Sequence, residues 1–274
     1  MSRESYFHPL TVPGTDTVVS LLITIFSLYP LSAALGDYII ESDERYQHLT
    51  PMRILEGLPL RYLTQELRSI LVSARIQKIV MTERRETWLR TYSSKGNGYF
   101  VISAHPHLCC LFFTREKPST PKIRESGWEQ ILNKYLAGGT IESIDPVEWD
   151  RVVCITVKNH RLWGSENTFS LYAELTGRNA NLILTTTEKN PIILGSFRQV
   201  SDKQSRFRII APGMRYLLPP PKLDAWDPLE YLSPHFHTEQ KPPQEEVTLV
   251  RWCIRHLQGV GPFLAREMVD DLFP

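Results

Sequence analysis

Leu60, Leu63, Leu67, Ile70 and Leu71 recur at steps of three and four, which lays one apolar stripe along a helix. Pro59 suits the first turn of that helix, where no backbone N–H is needed. The pattern then changes to short β-branched and apolar runs over residues 75–81, 87–92 and 99–104, which predict antiparallel strands, with Lys95-Gly96-Asn97-Gly98 as the turn between the last two. Residues 108–114 add a further strand before Lys117-Pro118-Ser119-Thr120-Pro121 breaks regular structure. A second amphipathic helix carries Trp128, Ile131, Leu132, Tyr135 and Leu136 and closes at Gly138-Gly139. Five more short runs, 140–144, 151–157, 168–175, 181–186 and 191–194, read as strands separated by turn-formers. Few intervals are long enough for parallel crossovers, so the predicted class is α+β, a mostly antiparallel β-sandwich or sheet with helices.

Proline punctuates the chain from residue 212 to 243, including Leu217-Leu218-Pro219-Pro220-Pro221, and predicts an extended linker. Beyond it, Val247, Val250, Ile254 and Leu257 mark one helix face, Gly259-Val260-Gly261 turns the chain, and Leu264, Met268 and Leu272 line a helix opened by Pro262. The apolar run 18–28 near the N-terminus falls short of the roughly 20 residues that span a bilayer. Only Arg3 precedes it as a base, offset by Glu4 and Asp16, so the basic start of a secretory signal is missing. The expected organisation is a poorly ordered extension or targeting segment over 1–51, with Met1 or Met52 as start, an α+β domain over 52–211, a linker over 212–243 and a partial helix-hairpin-helix module over 244–274.

Composition narrows the function classes. The 274 residues are 42% hydrophobic and 22% charged, which suits a soluble globular protein with a real core. Lysine and arginine number 31 against 30 acids, a formal net charge of +1, so any nucleic-acid site must be a local patch rather than a global field. Cys109, Cys110, Cys154 and Cys253 form neither a metal-ligand spacing nor a secreted disulfide framework and read as free thiols.

Four places carry candidate chemistry. Leu257, Gly259, Gly261 and Ala265 have the spacing of a helix-hairpin-helix, in which glycines allow close helix packing and backbone N–H groups face a phosphate. Gly259, Gly261 and the nearest cation, Arg266, are the candidate backbone contacts; a plain helical hairpin is the alternative. Asp150-Arg151, after Pro146 and Trp149, can hydrogen-bond a polar ligand from both sides, or be a surface charge pair at a turn. Arg178 stands at the tip of a Gly-Arg-Asn turn between two strands, available to phosphate or simply part of a hairpin. His105-Pro106-His107 lacks the partners of a metal site and reads as a turn. No nucleophile elbow, phosphate loop or zinc-protease helix is present, and no metal or cofactor is expected.

In order, Glu56-Gly57, Ser103-Ala104-His105-Pro106, Leu136-Ala137-Gly138-Gly139, Trp149-Asp150-Arg151, Glu174 through Asn181, and Pro212-Gly213-Met214-Arg215-Tyr216 resemble the NFACT N-terminal domain family, from about Met52 to Asp271. The resemblance implies a fold similar to the N-terminal domain of formamidopyrimidine-DNA glycosylases followed by helix-hairpin-helix elements. It also implies a non-enzymatic role in ribosome-associated quality control: binding of the large ribosomal subunit with a stalled nascent chain, and of tRNA, so that a C-terminal tail is added without mRNA. On that resemblance Asp150, Arg151, Arg178 and Glu56, the last in place of a usual aspartate, are tRNA-binding residues. Thr176, Asn179, Cys110 and Asn133-Lys134-Tyr135 depart from the family pattern, mostly by removing cations. Complete members continue into a coiled coil and a C-terminal RNA-binding domain, so a truncated form is expected. Residues 198–205 look closest to cyanobacterial and plastid-type members; the expected location is cytoplasmic, or the plastid stroma if the source is a photosynthetic eukaryote, and no membrane partner is expected.

Two rival classes follow from the same likeness. One is a DNA-binding glycosylase-like protein, although such enzymes use an N-terminal proline and this chain begins Met1-Ser2-Arg3. The other is a fibronectin-binding adhesion protein, prompted by a name used in the family and by the apolar run 18–28.

Overall fold

A computed structural model describes residues 55–118, 126–162, 167–222, 224–231, 242–243 and 245–270. The expected segment 1–51, with its apolar run, and Leu272 lie outside the described residues. The chain divides into two compact units between Pro221 and Lys222.

The larger unit opens with helix α1, Gly57–Leu71, whose buried face holds Leu60, Leu63, Leu67 and Leu71 as the spacing predicts, plus Leu58 and Thr64. Nine antiparallel strands follow among the described residues: β1 Arg75–Met81, β2 Glu86–Ser93, β3 Gly96–Ser103, β4 Cys110–Thr114, β5 Thr140–Pro146, β6 Val152–Lys158, β7 Thr168–Glu174, β8 Asn181–Thr186 and β9 Ile193–Ser196. They form one sheet in the order β4-β3-β2-β1-β5-β6-β7-β8-β9. Two meanders meet where β1 pairs with β5 at Arg75↔Thr140, with backbone hydrogen bonds on either side from Ile76 N to Gly139 O at 2.8 Å and from Ile141 N to Ala74 O at 3.0 Å. Register shifts at Ile76/Lys78 and Ile141/Ser143 flank that join, and such bulges add local bend and twist.

Helix α2, Gly127–Leu136, starts at Ser126, whose hydroxyl accepts from the Glu129 N–H, and buries Trp128, Leu132 and Leu136. It packs on β1 and β9. Asn133 pins it to β1 by accepting from Ile79 N at 3.1 Å and donating to Ile79 O at 3.0 Å. Helix α1 lies along β5, where the Arg68 guanidinium reaches the Ile144 carbonyl and the Asp145 carboxylate. Residues 181–185 of β8 are all buried, so that strand is covered on both faces and shows no polar alternation.

Two sequence expectations shift. The β2–β3 turn sits at Ser94-Lys95, not over 95–98, because Gly96 and Asn97 pair with Ser93 and Tyr92. Gly98 is needed within β3, since a Cβ there would strike the Phe113 ring and lie 2.6 Å from the Thr114 carbonyl oxygen. The first residues of the proline-rich stretch also hydrogen-bond: Gly213 donates to Ile193 O and Tyr216 to Pro191 O, both at 2.8 Å, and the Tyr216 side chain is buried.

The smaller unit, described by itself, contains α3 Pro228–Tyr231, α4 Glu246–His256 and α5 Pro262–Asp270. Its core is Ala225, Leu249, Cys253, Leu257, Val260, Leu264, Ala265, Met268 and Val269. The α4 face is therefore rotated from the predicted one: Leu249 and Cys253 are buried, Val250 and Ile254 half-buried, and Val247 is 58% exposed. Trp226 stacks with both Tyr231 and His256, with ring centroids 5.7 and 5.1 Å away.

Candidate nucleic-acid interface

The β5–β6 turn presents Asp150 and Arg151. The Asp150 N–H donates to Val147 O at 3.2 Å, and its Oδ1 accepts from the Arg151 N–H at 2.7 Å, so the carboxylate is held against the start of β6. Glu148, just before it, has a positive φ of 50°, an unusual backbone state for a non-glycine residue. Its carbonyl accepts from Arg61 of α1 at 3.0 Å, and that guanidinium sits over the buried Trp149 ring at 4.6 Å. The contact anchors the start of α1 beside the turn, with buried Glu56 at the helix N-cap.

Arg178 lies exposed in a 3-10 turn, Gly177–Asn179, between β7 and β8. Gly177 enters it at φ +70°, which a side chain would strain. The Leu175 N–H donates to the Arg151 carbonyl at 2.7 Å, joining this turn to the Asp150-Arg151 turn. Arg198 closes the other side: its guanidinium donates to Arg178 O at 3.3 Å, while its backbone exchanges hydrogen bonds with the Asn181 amide at 2.8 and 2.9 Å.

Behind the turn, Glu174 is buried and takes two hydrogen bonds from Arg208, at 2.5 and 2.6 Å, and one from the Tyr216 hydroxyl at 2.9 Å. Burial alone pulls the Arg208 pKa down, but the Glu174 hydrogen bonds and charge outweigh it and the net direction is up. Burial, then the Glu174 charge, raises the Tyr216 hydroxyl.

The β3–β4 loop packs against these turns. Cys109 Sγ donates to Leu175 O at 3.4 Å, and the Pro106 carbonyl lies 3.6 Å from where a Cβ on Gly177 would stand. Burial, then the neighbouring His107 and Arg85 charges, lowers the His105 pKa, with Glu86 opposing and Arg84 adding to the drop. Among the described residues no group of three metal-ligating side chains occurs, and no helix is long and apolar enough to cross a membrane.

Residues 56–273 match the family profile of NFACT N-terminal and middle domains. The chain belongs to the NFACT family. Among NFACT relatives, the Rqc2 homolog RqcH of Streptococcus pneumoniae serotype 2 (strain D39) is 34% identical over 220 residues, covering 79% of this chain and 38% of that protein. The Rqc2 homolog RqcH of Bacillus subtilis (strain 168) is 30% identical over 217 residues, covering 78% and 37%. The chain thus spans well under half the length of these relatives. Among solved structures, the N-terminal domain of fibronectin-binding protein PavA from Streptococcus pneumoniae superposes with a TM-score of 0.65 at 30% identity, covering 80% of each chain. The N-terminal part of the fibronectin/fibrinogen-binding protein of Streptococcus suis gives 0.64 at 26% identity, covering 79% of each.

In this NFACT chain, Glu56, Asp150, Arg151 and Arg178 thus come to one end of the sheet. Gly259, at φ +73°, Gly261, whose carbonyl accepts from Ala265 N at 3.0 Å, and exposed Arg266 lie together in the smaller unit, around the turn into α5. Arg61, Arg198 and the Glu174–Arg208–Tyr216 group were not legible beforehand, because each partner is distant in sequence and no local spacing signals it.

Proposed function

We propose that this NFACT protein is a non-enzymatic factor of ribosome-associated quality control that binds tRNA and the large ribosomal subunit, serving rescue of stalled ribosomes with C-terminal tailing of nascent chains. The observation that carries the reading is the hydrogen bond from Leu175 N to Arg151 O, which sets the Asp150-Arg151 turn beside the Arg178 turn. The kinship with Rqc2 homologs supports the wider role.

In this reading the Arg151 guanidinium donates to an RNA phosphate or guanine edge. Asp150, with Oδ1 turned to the Arg151 N–H, offers its other oxygen to a base amino group or a ribose hydroxyl. Arg178 and Arg198 neutralise phosphates alongside, and Glu56 marks the far edge at the start of α1. Around the α5 turn, Gly259, Gly261 and Arg266 meet backbone without reading sequence.

The double variant Asp150→Ala, Arg151→Ala should lose tRNA binding while its thermal unfolding stays close to that of the parent. Unchanged affinity in a folded double variant would remove the assignment. A second reading draws on the fibronectin-binding names of the two streptococcal structures. Retention on immobilised fibronectin, with none on ribosomes or tRNA, would favour it.

A further inference from the structure

The β1–β2 connection runs through Thr82, Glu83, Arg84 and Arg85, with Arg85 N donating to Thr82 O and Thr82 N to Glu86 O, both at 3.1 Å. This is a three-residue hairpin loop, a type I turn followed by one left-handed residue, and the left-handed place normally takes glycine. Here it holds Arg85, at φ +61°. A bulky residue in that region is uncommon and strained, and residues of this kind cluster at binding and catalytic sites. Arg85 and Arg84 are both exposed, and neither forms an ion pair among the described residues. The nearest carboxylate on β2, Glu86, is engaged elsewhere: its Oε2 accepts from Thr82 Oγ1 at 3.0 Å and from Trp88 Nε1 at 2.9 Å.

The turn is not isolated. The Arg85 carbonyl accepts from Ala104 N at 3.1 Å, so the β1–β2 turn is tied to the β3–β4 loop. That loop holds His105 and exposed His107, ring centroids 5.9 Å apart, and its Pro106 lies against Gly177 of the Arg178 turn. Arginines on one turn, imidazoles on the loop beside it and Arg178 on the turn that this loop reaches thus share one neighbourhood with a single exposed acid of the first turn, Glu83, in a chain whose net charge is only +1.

We propose that Arg84 and Arg85, with His105 and His107, form a second phosphate-binding subsite that grips the sugar-phosphate backbone of a folded RNA beyond the reach of Asp150 and Arg151. The proposal rests on the tRNA-binding reading above. Burial first, then His107, Arg85 and Arg84, holds the His105 pKa down against Glu86, so His105 joins the subsite as a neutral hydrogen-bond donor and the two arginines supply the charge. Contacts of this type position the RNA without reading its bases.

The test measures binding of fluorescently labelled deacylated tRNA across a series of salt concentrations, for the full chain and for Arg84→Ala, Arg85→Asn and the double variant. Asparagine tolerates the left-handed region, so Arg85→Asn should keep or raise the melting temperature while removing the charge. The double variant should bind about tenfold more weakly, and its log-affinity against log-salt slope should be shallower by about 2. Ser73→Gly, at another left-handed position with φ +69°, relieves strain without loss of charge and should leave binding unchanged. Unchanged affinity and slope in the arginine variants, while Asp150→Ala with Arg151→Ala loses binding, overturns this subsite and leaves the functional reading standing. Affinity loss accompanied by a lower melting temperature assigns Arg85 to holding the turn and equally overturns the subsite. A parent chain that binds no tRNA overturns both.

Discussion

Glu174→Ala would remove a carboxylate whose side chain is 1% exposed and leave the Arg208 guanidinium, 16% exposed, and the buried Tyr216 hydroxyl without their acceptor. Breaking a buried ion pair from one side costs about 3–5 kcal/mol, because the surviving charge stays desolvated. Arg208 keeps one acceptor, Leu217 O at 2.9 Å, and some access to water, so the lower end, about 3 kcal/mol, is expected. For a unit of this size that is a fall of roughly 6–12 °C in melting temperature. Urea unfolding should show a lower midpoint with an unchanged slope. Arg208→Ala should cost a similar amount by stranding the carboxylate, and the double variant should cost less than the sum by about 2 kcal/mol. Because Glu174 directly precedes Leu175, whose N–H holds the Arg151 carbonyl, tRNA affinity should fall with stability. A loss under about 1 kcal/mol, or strictly additive single variants, would show that solvent screens this group, and the reasoning would fail.

Other expectations are shorter. Gly98→Ala pushes a methyl against the Phe113 ring and the Thr114 carbonyl and should destabilise by about 1–3 kcal/mol, read by chemical unfolding. Burial, then the Cys109 and Glu86 charges, pushes the Cys110 thiol from 9.0 up to about 12. Its contribution is intact below pH 9 and is lost as pH rises from 9 towards 12, with a slope of up to about 1.4 kcal/mol per pH unit; Cys110→Ala should flatten the alkaline fall in melting temperature. Arg61→Ala loses the Glu148 carbonyl bond and the Trp149 stacking and should cost about 1 kcal/mol in stability, with weaker tRNA binding, whereas Arg61→Lys should restore only part of both.

Much of the α+β fold was legible because the periodicities were clean. The stripe from Leu60 to Leu71 and the run from Trp128 to Leu136 gave both helices of the larger unit, and β1 and β8 fall on the residues the pattern marked. Misreadings arose where two periodicities compete. In α4, Leu249, Cys253 and Leu257 recur at steps of four alongside Val247, Val250 and Ile254, so the segment is apolar on several sides and only packing selects the buried one. The β2–β3 turn was misplaced because Gly96-Asn97-Gly98 looks like turn chemistry, whereas Gly98 is glycine for want of room beneath Phe113. Local composition does not separate those two reasons for a glycine.

The candidate site was legible only where its parts are local. Asp150-Arg151 and Gly177-Arg178 stand out as turn residues, but what joins them, Leu175 N to Arg151 O, depends on β6 pairing with β7 in a particular register. Arg85 and Arg198 carry no local signal at all. A meander places alternate turns at the same end, so β1–β2 with β3–β4, and β5–β6 with β7–β8, are grouped by strand order. Cys109 and Pro106 then bring the two groups against each other at Leu175 and Gly177. Strand order and these two contacts therefore bring the turns that carry Arg84, Arg85, Arg151, Arg178 and Arg198, scattered over more than a hundred residues, into one neighbourhood, alongside the acids Glu83, Glu148 and Asp150. Whole-chain charge argues against non-specific attraction to nucleic acid, and under the proposed reading the arginines of these turns are the local contacts that such binding requires.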